Sequence, residues 1–218
     1  MKKYKLTTET LQFAGRTLHR IKAVKDFDSI KAGEFGGWIE NEKNLSQDDN
    51  AWIYGDAMVF DNAKILGNAE VYGNAKVYGN AKVYGNAEVY GYANVSDYAN
   101  VFGNAEVYGN ANVFGYANVS DDAKVYGNAK VYGNAAIKGD AKVHDAVDYI
   151  VFKNFWSSGR YFTWTSSNNK WSVGCFYGTG EELIKKAYAD SEKSGREYER
   201  VVRYVESILA DEKKEKSD

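Results

Sequence analysis

The chain of 218 residues contains no proline and a single cysteine, Cys175. One cysteine cannot form an internal disulfide and supports no cysteine-based metal site. We expect Cys175 to be buried as a small apolar residue. Long apolar segments are also lacking, because no run of 18 apolar residues occurs and the N-terminus has no apolar run of signal-peptide length. The sequence therefore predicts a soluble cytoplasmic protein.

The chain also lacks a strong charge of either sign. Its formal net charge is −2 and its pI is about 5.8. Nothing in this balance favours binding to nucleic acid in bulk or to an anionic membrane surface. The sequence predicts no metal and no cofactor.

A unit of six residues repeats between residues 51 and 146 without insertion or deletion. Each unit has an alanine, a valine or isoleucine two residues later, and a glycine or aspartate two residues after that. A fixed internal period is typical of a solenoid, in which each unit stacks on its neighbours. The β-branched positions are Ile53, Val59, Ile65, Val71, Val77, Val83, Val89, Val95, Val101, Val107, Val113, Val119, Val125, Val131, Ile137 and Val143.

The unit predicts a short strand followed by a corner. The alanine and the branched residue are two apart, so both side chains point to one face of an extended segment. Gly, Asn and Asp at the corner tolerate positive φ. Three units close most simply into a triangular turn of 18 residues whose narrow interior is filled by Ala and Val. Residues 51–146 then make about five turns, and we expect the coil to begin near residue 36, within "GEFGGWIE".

This spacing resembles that of the hexapeptide-repeat β-helix proteins, whose motif is an aliphatic residue followed four places later by a small one, as in Val71-Tyr-Gly-Asn-Ala75. The resemblance implies a mainly β fold, a single-stranded triangular β-helix with a left-handed coil. A right-handed triangular coil, as in the bactofilins, is the alternative. Hexapeptide-repeat proteins commonly form trimers, so the resemblance also implies a homotrimer.

With a period of 18, outward side chains fall into columns, and one column of tyrosines ends at His144. Aromatic ladders stabilise a sheet by packing side by side. Exposed aromatic patches also mark interfaces between proteins, so we hypothesise that this column is an interface between copies. Its members are Tyr54, Tyr72, Tyr90, Tyr108 and Tyr126.

Beside the tyrosines runs a column of Glu70, Glu88 and Glu106, followed by Lys124 and Lys142. Stacked like charges cost free energy unless they are compensated. Solvent, cations or a lysine from another copy are the alternatives for that compensation.

Many hexapeptide-repeat enzymes transfer acyl groups from acetyl-CoA, and they resemble one another in a loop that leaves the coil and carries a histidine base. The repeats of this chain contain no such loop. His19 precedes the coil and His144 ends it, beside Asp145. Adjacent strand residues point opposite ways, so we expect Asp145 not to orient His144. We predict that the chain is not an enzyme, with acyl transfer as an alternative.

The sequence divides into residues 1–35, a strand-rich cap, residues 36–146, the β-helix, and residues 147–218, a β-meander with two helices. Three strand-like runs precede the helices, with turns at "SSG" and "SSNN". Thr179 with Glu182, and Ser194 with Glu197, are predicted capping boxes that open the two helices. The charged tail "DEKKEKSD" is expected to fray.

The C-terminal segment holds the best candidate for a ligand site. Its tryptophans are able to stack on a base or ring, and an arginine in a glycine-containing turn is able to hold a phosphate together with serines. A small aromatic core with an ordinary turn is the alternative interpretation. The candidate residues are Trp156, Ser157, Ser158, Arg160, Tyr161, Trp164 and Trp171.

The arrangement of "IKAGEFGGWIE", the "GNA" repeats and "GCFYGTGEELIKKAY" resembles uncharacterised proteins of phages, prophages and gut bacteria. Three functions are therefore considered. The first is a non-enzymatic, oligomeric β-helix scaffold or binding protein of phage type. The second is a phage immune-evasion protein that sequesters a small nucleotide or blocks a host defence protein, in the host cytoplasm. The third is an acyltransferase-like enzyme.

Overall fold

Sixteen strands of two residues each follow one another at intervals of six along the repeats. Each strand consists of a branched residue, which points inward, and the outward residue before it. They are β4 (Trp52–Ile53), β5 (Met58–Val59), β6 (Lys64–Ile65), β7 (Glu70–Val71), β8 (Lys76–Val77), β9 (Lys82–Val83), β10 (Glu88–Val89), β11 (Asn94–Val95), β12 (Asn100–Val101), β13 (Glu106–Val107), β14 (Asn112–Val113), β15 (Asn118–Val119), β16 (Lys124–Val125), β17 (Lys130–Val131), β18 (Ala136–Ile137) and β19 (Lys142–Val143).

A computed structural model of the chain describes residues 2–215 and shows each strand paired in parallel with the strands 18 residues away. Val89, for example, lies opposite both Val71 and Val107. The pairing creates three faces: a first face β4-β7-β10-β13-β16-β19, a second face that includes β5-β8-β11-β14-β17, and a third face β6-β9-β12-β15-β18. The predicted solenoid of stacked coils is confirmed, with about six turns.

The interior of the coil contains only small and branched side chains. Every repeat alanine from Ala51 to Ala141 and every branched residue from Ile53 to Val143 is fully buried. These alanines and branched residues together fill the narrow interior of the coil. The inward repeat positions from Ala51 to Val143 therefore hold apolar side chains.

Aspartates occupy some corners because each carboxylate binds the next turn. Asp97 has a φ of 58° and its carboxylate accepts the backbone N–H of Gly115 at 3.0 Å. Asp61 and Asp121 bond in the same way to the glycines 18 residues later, at 3.1 and 3.0 Å. A corner aspartate therefore satisfies a backbone donor that a glycine leaves to solvent.

The N-terminal segment forms strands that continue into the second face. β1 (Tyr4–Phe13) pairs antiparallel with β2 (Arg16–Ala23), β2 pairs antiparallel with β3 (Phe35–Ile39), and β3 pairs in parallel with β5. The first strand that pairs in parallel with the repeats is thus β3. Gly36 and Gly37 are needed there, because a Cβ on either would lie 2.6 Å from a backbone carbonyl oxygen of the next turn.

The hairpin β1–β2 also packs on the outward side chains at the start of the second face. Leu18 is fully buried against Trp38 and Phe60, and Leu11 and Phe13 pack on the same cluster. A short 3-10 helix, Glu42–Asn44, follows β3, and a second one, Ala146–Asp148, follows the last repeat.

The chain divides into two units, Met1–Asp148 and Tyr149–Asp218. The second unit contains an antiparallel sheet in sequence order and two helices packed on it. Its elements are β20 (Tyr149–Lys153), β21 (Tyr161–Thr165), β22 (Lys170–Val173), β23 (Phe176–Gly178), α1 (Gly180–Asp190) and α2 (Glu192–Glu215). The predicted meander and two helices are confirmed, although the third predicted run is split into β22 and β23.

Two local predictions for this unit are wrong. Cys175 is exposed, because it lies in the turn between β22 and β23. The second helix begins at Glu192 and not after Ser194: the Ser191 hydroxyl accepts the N–H of Ser194 at 3.1 Å and caps it. Gly195 then falls inside α2, where the Tyr188 ring of α1 lies against it.

The Thr179–Glu182 capping box at the start of α1 is confirmed. Of the tail that was expected to fray, residues 211–215 continue α2, so the prediction is wrong there, and residues 216–218 lie outside the described residues. Within residues 2–215 no helix is both long and apolar enough to cross a membrane.

Candidate functional site

A column of tyrosines runs along the outside of the first face. Neighbouring rings from Tyr72 to Tyr126 are stacked nearly parallel, with centroids 4.7 to 5.2 Å apart. The column ends at His144, whose ring meets Tyr126 edge to face at 5.1 Å. At the other end the stacking breaks, because Tyr54 lies perpendicular to Tyr72 with centroids 6.4 Å apart.

Three phenols of this column donate hydrogen bonds to glutamates one turn further along the coil. The pairs are Tyr54–Glu70 at 3.0 Å, Tyr72–Glu88 at 2.6 Å and Tyr90–Glu106 at 3.0 Å. Burial, followed by the charge of Glu70, raises the pKa of Tyr54 to about 12. Burial and the bonded carboxylates also raise the pKa of Tyr72 and of Tyr90. These phenols therefore remain protonated donors at neutral pH.

The glutamates stack directly on one another, with Glu88 opposite both Glu70 and Glu106. Lys124 of the same chain pairs with Glu106 at 2.6 Å and compensates that end of the column. Among residues 2–215, neither Glu70 nor Glu88 forms an ion pair, although the charge of Glu88 also acts on Lys124. The Glu70 carboxylate, beside the perpendicular tyrosine pair, is therefore bonded to the Tyr54 phenol and is not paired with a cation of residues 2–215.

A second set of aromatic rings is more exposed than the tyrosine column. Tyr98 and Tyr116 are stacked at 5.1 Å on the corner that follows the second face, and they are 53% and 58% exposed. Phe114 and Tyr132 are stacked at 5.3 Å at the end of the same face. We call these four residues the corner cluster. Earlier on this face the Phe60 ring is covered by the N-terminal hairpin and is 4% exposed.

His144 and Asp145 form a hydrogen-bonded pair, with Nδ1 2.6 Å from Oδ2. The prediction that Asp145 points away from His144 is wrong, because β19 ends at Val143 and the strand rule does not apply beyond it. The backbone N–H groups of His144 and Asp145 both donate hydrogen bonds to the Asp148 carboxylate. A half-exposed imidazole held by a carboxylate is the arrangement of a general base with its orienting group.

The structure separates the residues predicted as a ligand site in the second unit. Trp164 and Trp171 lie opposite each other in β21 and β22, and they are only 3% and 2% exposed. They belong to the core with Phe162 and Val202, which leaves no open ring face for a ligand. Trp156 is more than half exposed in the loop between β20 and β21.

The remaining predicted residues lie around this loop, and the hydroxyls of both serines have partners in the chain. The Ser157 hydroxyl donates to Asn154, and the Ser158 hydroxyl bonds to Tyr198 of α2 at 3.2 Å. Arg160 extends along Gly174 in the turn after β22, and the Tyr161 ring faces the ammonium of Lys153. The structure thus groups the two serines but not the buried tryptophans, and a nucleotide site at these residues stays a prediction.

A groove of about 370 Å³ between the sheet and α2 was missed by the sequence analysis. It contains Trp156 together with aromatic and aliphatic side chains, and its arginine is Arg200, which pairs with Glu197 at 2.8 Å. Helical spacing places Glu197, Arg200, Val201 and Tyr204 on one face of α2, and this spacing was the signal in the sequence that could have predicted the groove.

Across the described part of the chain, no group of three or more His, Cys, Asp or Glu side chains is placed to hold a metal ion.

No protein-family model matches the chain. A segment of 62 residues is 39% identical to the uncharacterized acetyltransferase YdcK of Escherichia coli (strain K12). The match covers 25% of this chain and 19% of that protein, so the chain corresponds to less than a fifth of the length of this relative. The class that the fold defines is the β-solenoid of stacked parallel coils, and a similarity to an acetyltransferase is consistent with the hexapeptide-repeat spacing.

Proposed function

We propose that this chain is a non-catalytic β-solenoid scaffold that assembles with further copies of itself through aromatic rings on its outer faces. The observation that carries the proposal is the difference between the side chains that point into the coil and those that point out of it. Every inward residue of the repeats is a fully buried Ala, Val or Ile, whereas stacked aromatic rings lie outside. A coil of this kind offers surfaces for binding and no interior cavity for a substrate.

The corner cluster is the surface that this proposal uses first. Three of its rings expose more than half of their area, namely Tyr98, Tyr116 and Tyr132. Rings of the tyrosine column are partly buried, and three of their phenols are satisfied by glutamates of the same chain. Large exposed aromatic side chains contribute strongly to protein interfaces. The tyrosine column as an interface, and the homotrimer, stay predictions that the same experiment tests.

Light scattering on the full chain measures the assembly. We expect a mass three times that of the 24.4 kDa chain. The double substitution Tyr116→Ser and Tyr132→Ser should lower that mass, whereas Tyr92→Ser, at a different corner and 62% exposed, should leave it unchanged. A wild-type mass of one chain would overturn the proposal. If Tyr90→Ser lowered the mass and the double substitution did not, the interface would be the tyrosine column.

Acyl transfer is the second candidate, because two observations favour it. One is the similarity of a segment to an uncharacterized acetyltransferase. The other is the His144–Asp145 pair, half-exposed at the last turn of the coil. Turnover of acetyl-CoA with a panel of amine and hydroxyl acceptors tests it. Turnover that is lost in His144→Ala and retained in His19→Ala would replace the scaffold proposal.

The nucleotide-binding role expected from the phage resemblance remains a separate prediction. Calorimetry with linear and cyclic nucleotides tests it, with Arg160→Ala and Arg200→Ala as paired variants. Loss of binding in Arg160→Ala alone would favour the loop after β20. Loss in Arg200→Ala alone would favour the groove beside α2.

A further inference from the structure

The N-terminal end of the tyrosine column differs from the rest of it. There the ring of Tyr54 is turned by 90° relative to Tyr72, and their centroids are further apart than in the stacked part of the column. An open cavity of about 500 Å³ lies at this break and is lined by Ser29, Tyr54, Glu70 and Tyr72. This volume is within the range of small-molecule sites.

One wall of the cavity comes from a loop that precedes the coil. Ser29 lies in the segment between β2 and β3 and lines the cavity together with Tyr54. The segment is anchored, because Phe27 packs edge to face on Trp52 at 5.3 Å and Ile30 is 4% exposed. The cavity is therefore formed in advance by well-packed elements, which lowers the entropic cost of binding.

The charges that act on the two phenols of this cavity are all negative. Glu70 and Asp28 act on Tyr54, and Glu88 and Glu70 act on Tyr72. Lys124 pairs with Glu106 and its charge also interacts with Glu88, whereas Glu70, which lines the cavity, forms no ion pair within residues 2–215. The local field therefore favours a cation from outside the chain.

From these observations we propose that the cavity between Ser29, Tyr54, Glu70 and Tyr72 binds an organic ammonium ion. Two rings at a right angle with a carboxylate beside them are the arrangement that recognises ammonium groups, since the ring faces attract the cation and the carboxylate pairs with it. Aromatic walls favour a weakly hydrated organic cation over Mg²⁺ or Ca²⁺, which require several oxygen ligands. The ammonium group comes from a free amine or from a lysine side chain of a peptide.

This site does not depend on the self-association proposed above, because the corner cluster follows the second face and the cavity lies on the first. A chain that proves to be monomeric would overturn the scaffold proposal and leave the ammonium site untouched. Equally, a trimer that binds no amine would overturn only the ammonium site.

The test is a titration of the full wild-type chain with choline and with 3,3-dimethylbutan-1-ol, its neutral isostere, followed by calorimetry and by NMR shifts of the backbone amides. We expect choline to bind with shifts centred on residues 54, 70 and 72, and the isostere to bind at least tenfold more weakly. Equal binding of the two, or no choline binding at 20 mM, would overturn the proposal. Because this comparison uses the wild-type chain, it does not depend on the folding of any variant.

Matched variants localise the site. Tyr54→Leu and Glu70→Gln should each weaken choline binding at least fivefold, whereas Tyr108→Leu and Glu106→Gln, the same changes in the same columns, should not. Unchanged affinity in both Tyr54→Leu and Glu70→Gln would overturn the assignment. Spermidine and a peptide containing trimethyl-lysine then distinguish the two sources, and tighter binding of one of them identifies the kind of ligand. Displacement of choline by Mg²⁺ at equal concentration would contradict the preference for an organic cation.

Discussion

The Tyr72 phenol donates a 2.6 Å hydrogen bond to the carboxylate of Glu88, one turn further along the coil. The same side chain stacks on Tyr90, which in turn bonds to Glu106. Tyr72 and Tyr90 therefore each connect two turns twice, through the ring and through the hydroxyl. The outer face is held together by side chains in addition to the backbone ladder of the coil.

This coupling makes the coil sensitive to alkaline pH. An unfolded tyrosine ionises with a pKa of about 10, whereas the folded pKa of Tyr54 is about 12 and that of Tyr72 is also raised. Because the folded pKa of these phenols lies above the unfolded pKa, the stabilisation that the protonated phenols contribute is complete below pH 10. It is lost as the pH rises through the folded pKa. We expect the free energy of unfolding, measured with urea from pH 8 to 11.5, to fall above pH 10.

The substitution Tyr72→Phe should make this fall shallower, because one of the titrating phenols is removed. Tyr92→Phe is the matched control, since Tyr92 is exposed at a corner outside the column. Identical pH slopes for wild type and Tyr72→Phe would contradict the role given to the column.

A buried lysine produces the opposite trend at lower pH. Lys3 is 1% exposed and its ammonium donates to the backbone oxygens of Asp49 and Ala51, at 2.6 and 2.8 Å. Burial is the main cause that lowers its pKa to about 8. Between pH 8 and the unfolded pKa of about 10.4 the unfolded chain binds more protons, so stability rises with pH.

We expect the difference in unfolding free energy between wild type and Lys3→Met to shift in favour of wild type from pH 7.5 to pH 10. Lys5→Met, at an exposed position near the start of β1, should show no such shift. A constant difference for Lys3→Met across this range would show that the ammonium is not destabilised by burial.

The coil could be predicted from the sequence because one side-chain rule applies to all of its turns. Ala and Val two residues apart determine which side chains point inward, and the uninterrupted period of six determines the register over residues 51–146. The columns follow from the same arithmetic. No long-range pairing had to be guessed, since each strand pairs with its counterparts 18 residues away.

The sequence was less informative where a side chain is placed by tertiary contacts or by a turn. The hairpin over Phe60 depends on packing between distant segments, which a periodic pattern does not contain. The His144–Asp145 pair forms because the strand ends one residue earlier than the strand rule assumed. Trp164 and Trp171 belong to the core of the second unit. The sequence shows only that this segment is rich in aromatic residues, so it could not tell which of the rings are buried.

The corner aspartates allow a test of the bond between turns. Asp97→Ala removes the acceptor for the Gly115 N–H and leaves a residue with a Cβ at a φ of 58°. We expect a loss of about 1–2 kcal/mol in unfolding free energy. Asp97→Asn keeps an oxygen acceptor and tolerates positive φ, so it should remain within about 0.5 kcal/mol of wild type. Urea unfolding of the two variants decides the point, and equal losses would rule out the hydrogen bond as the cause.

Substitutions at two corner glycines with the same backbone conformation distinguish the cost of positive φ from the cost of a side chain between stacked turns. Gly109 has a φ of 71° and Gly133 a φ of 67°, and both stand in a Val-Tyr-Gly-Asn-Ala sequence. A Cβ added to Gly109 would lie 3.0 Å from the backbone nitrogen of Gly127, whereas a Cβ on Gly133 would meet nothing within 4 Å.

Gly133→Ala should therefore cost only the strain of the left-handed conformation, about 1 kcal/mol. Gly109→Ala should cost about 1–3 kcal/mol more, because the turns must separate or shift to accept the methyl group. Thermal and urea unfolding of both variants measures the difference. If the two substitutions cost the same, the close stacking of corners would not limit side-chain size, and glycine would be required there for its backbone conformation alone.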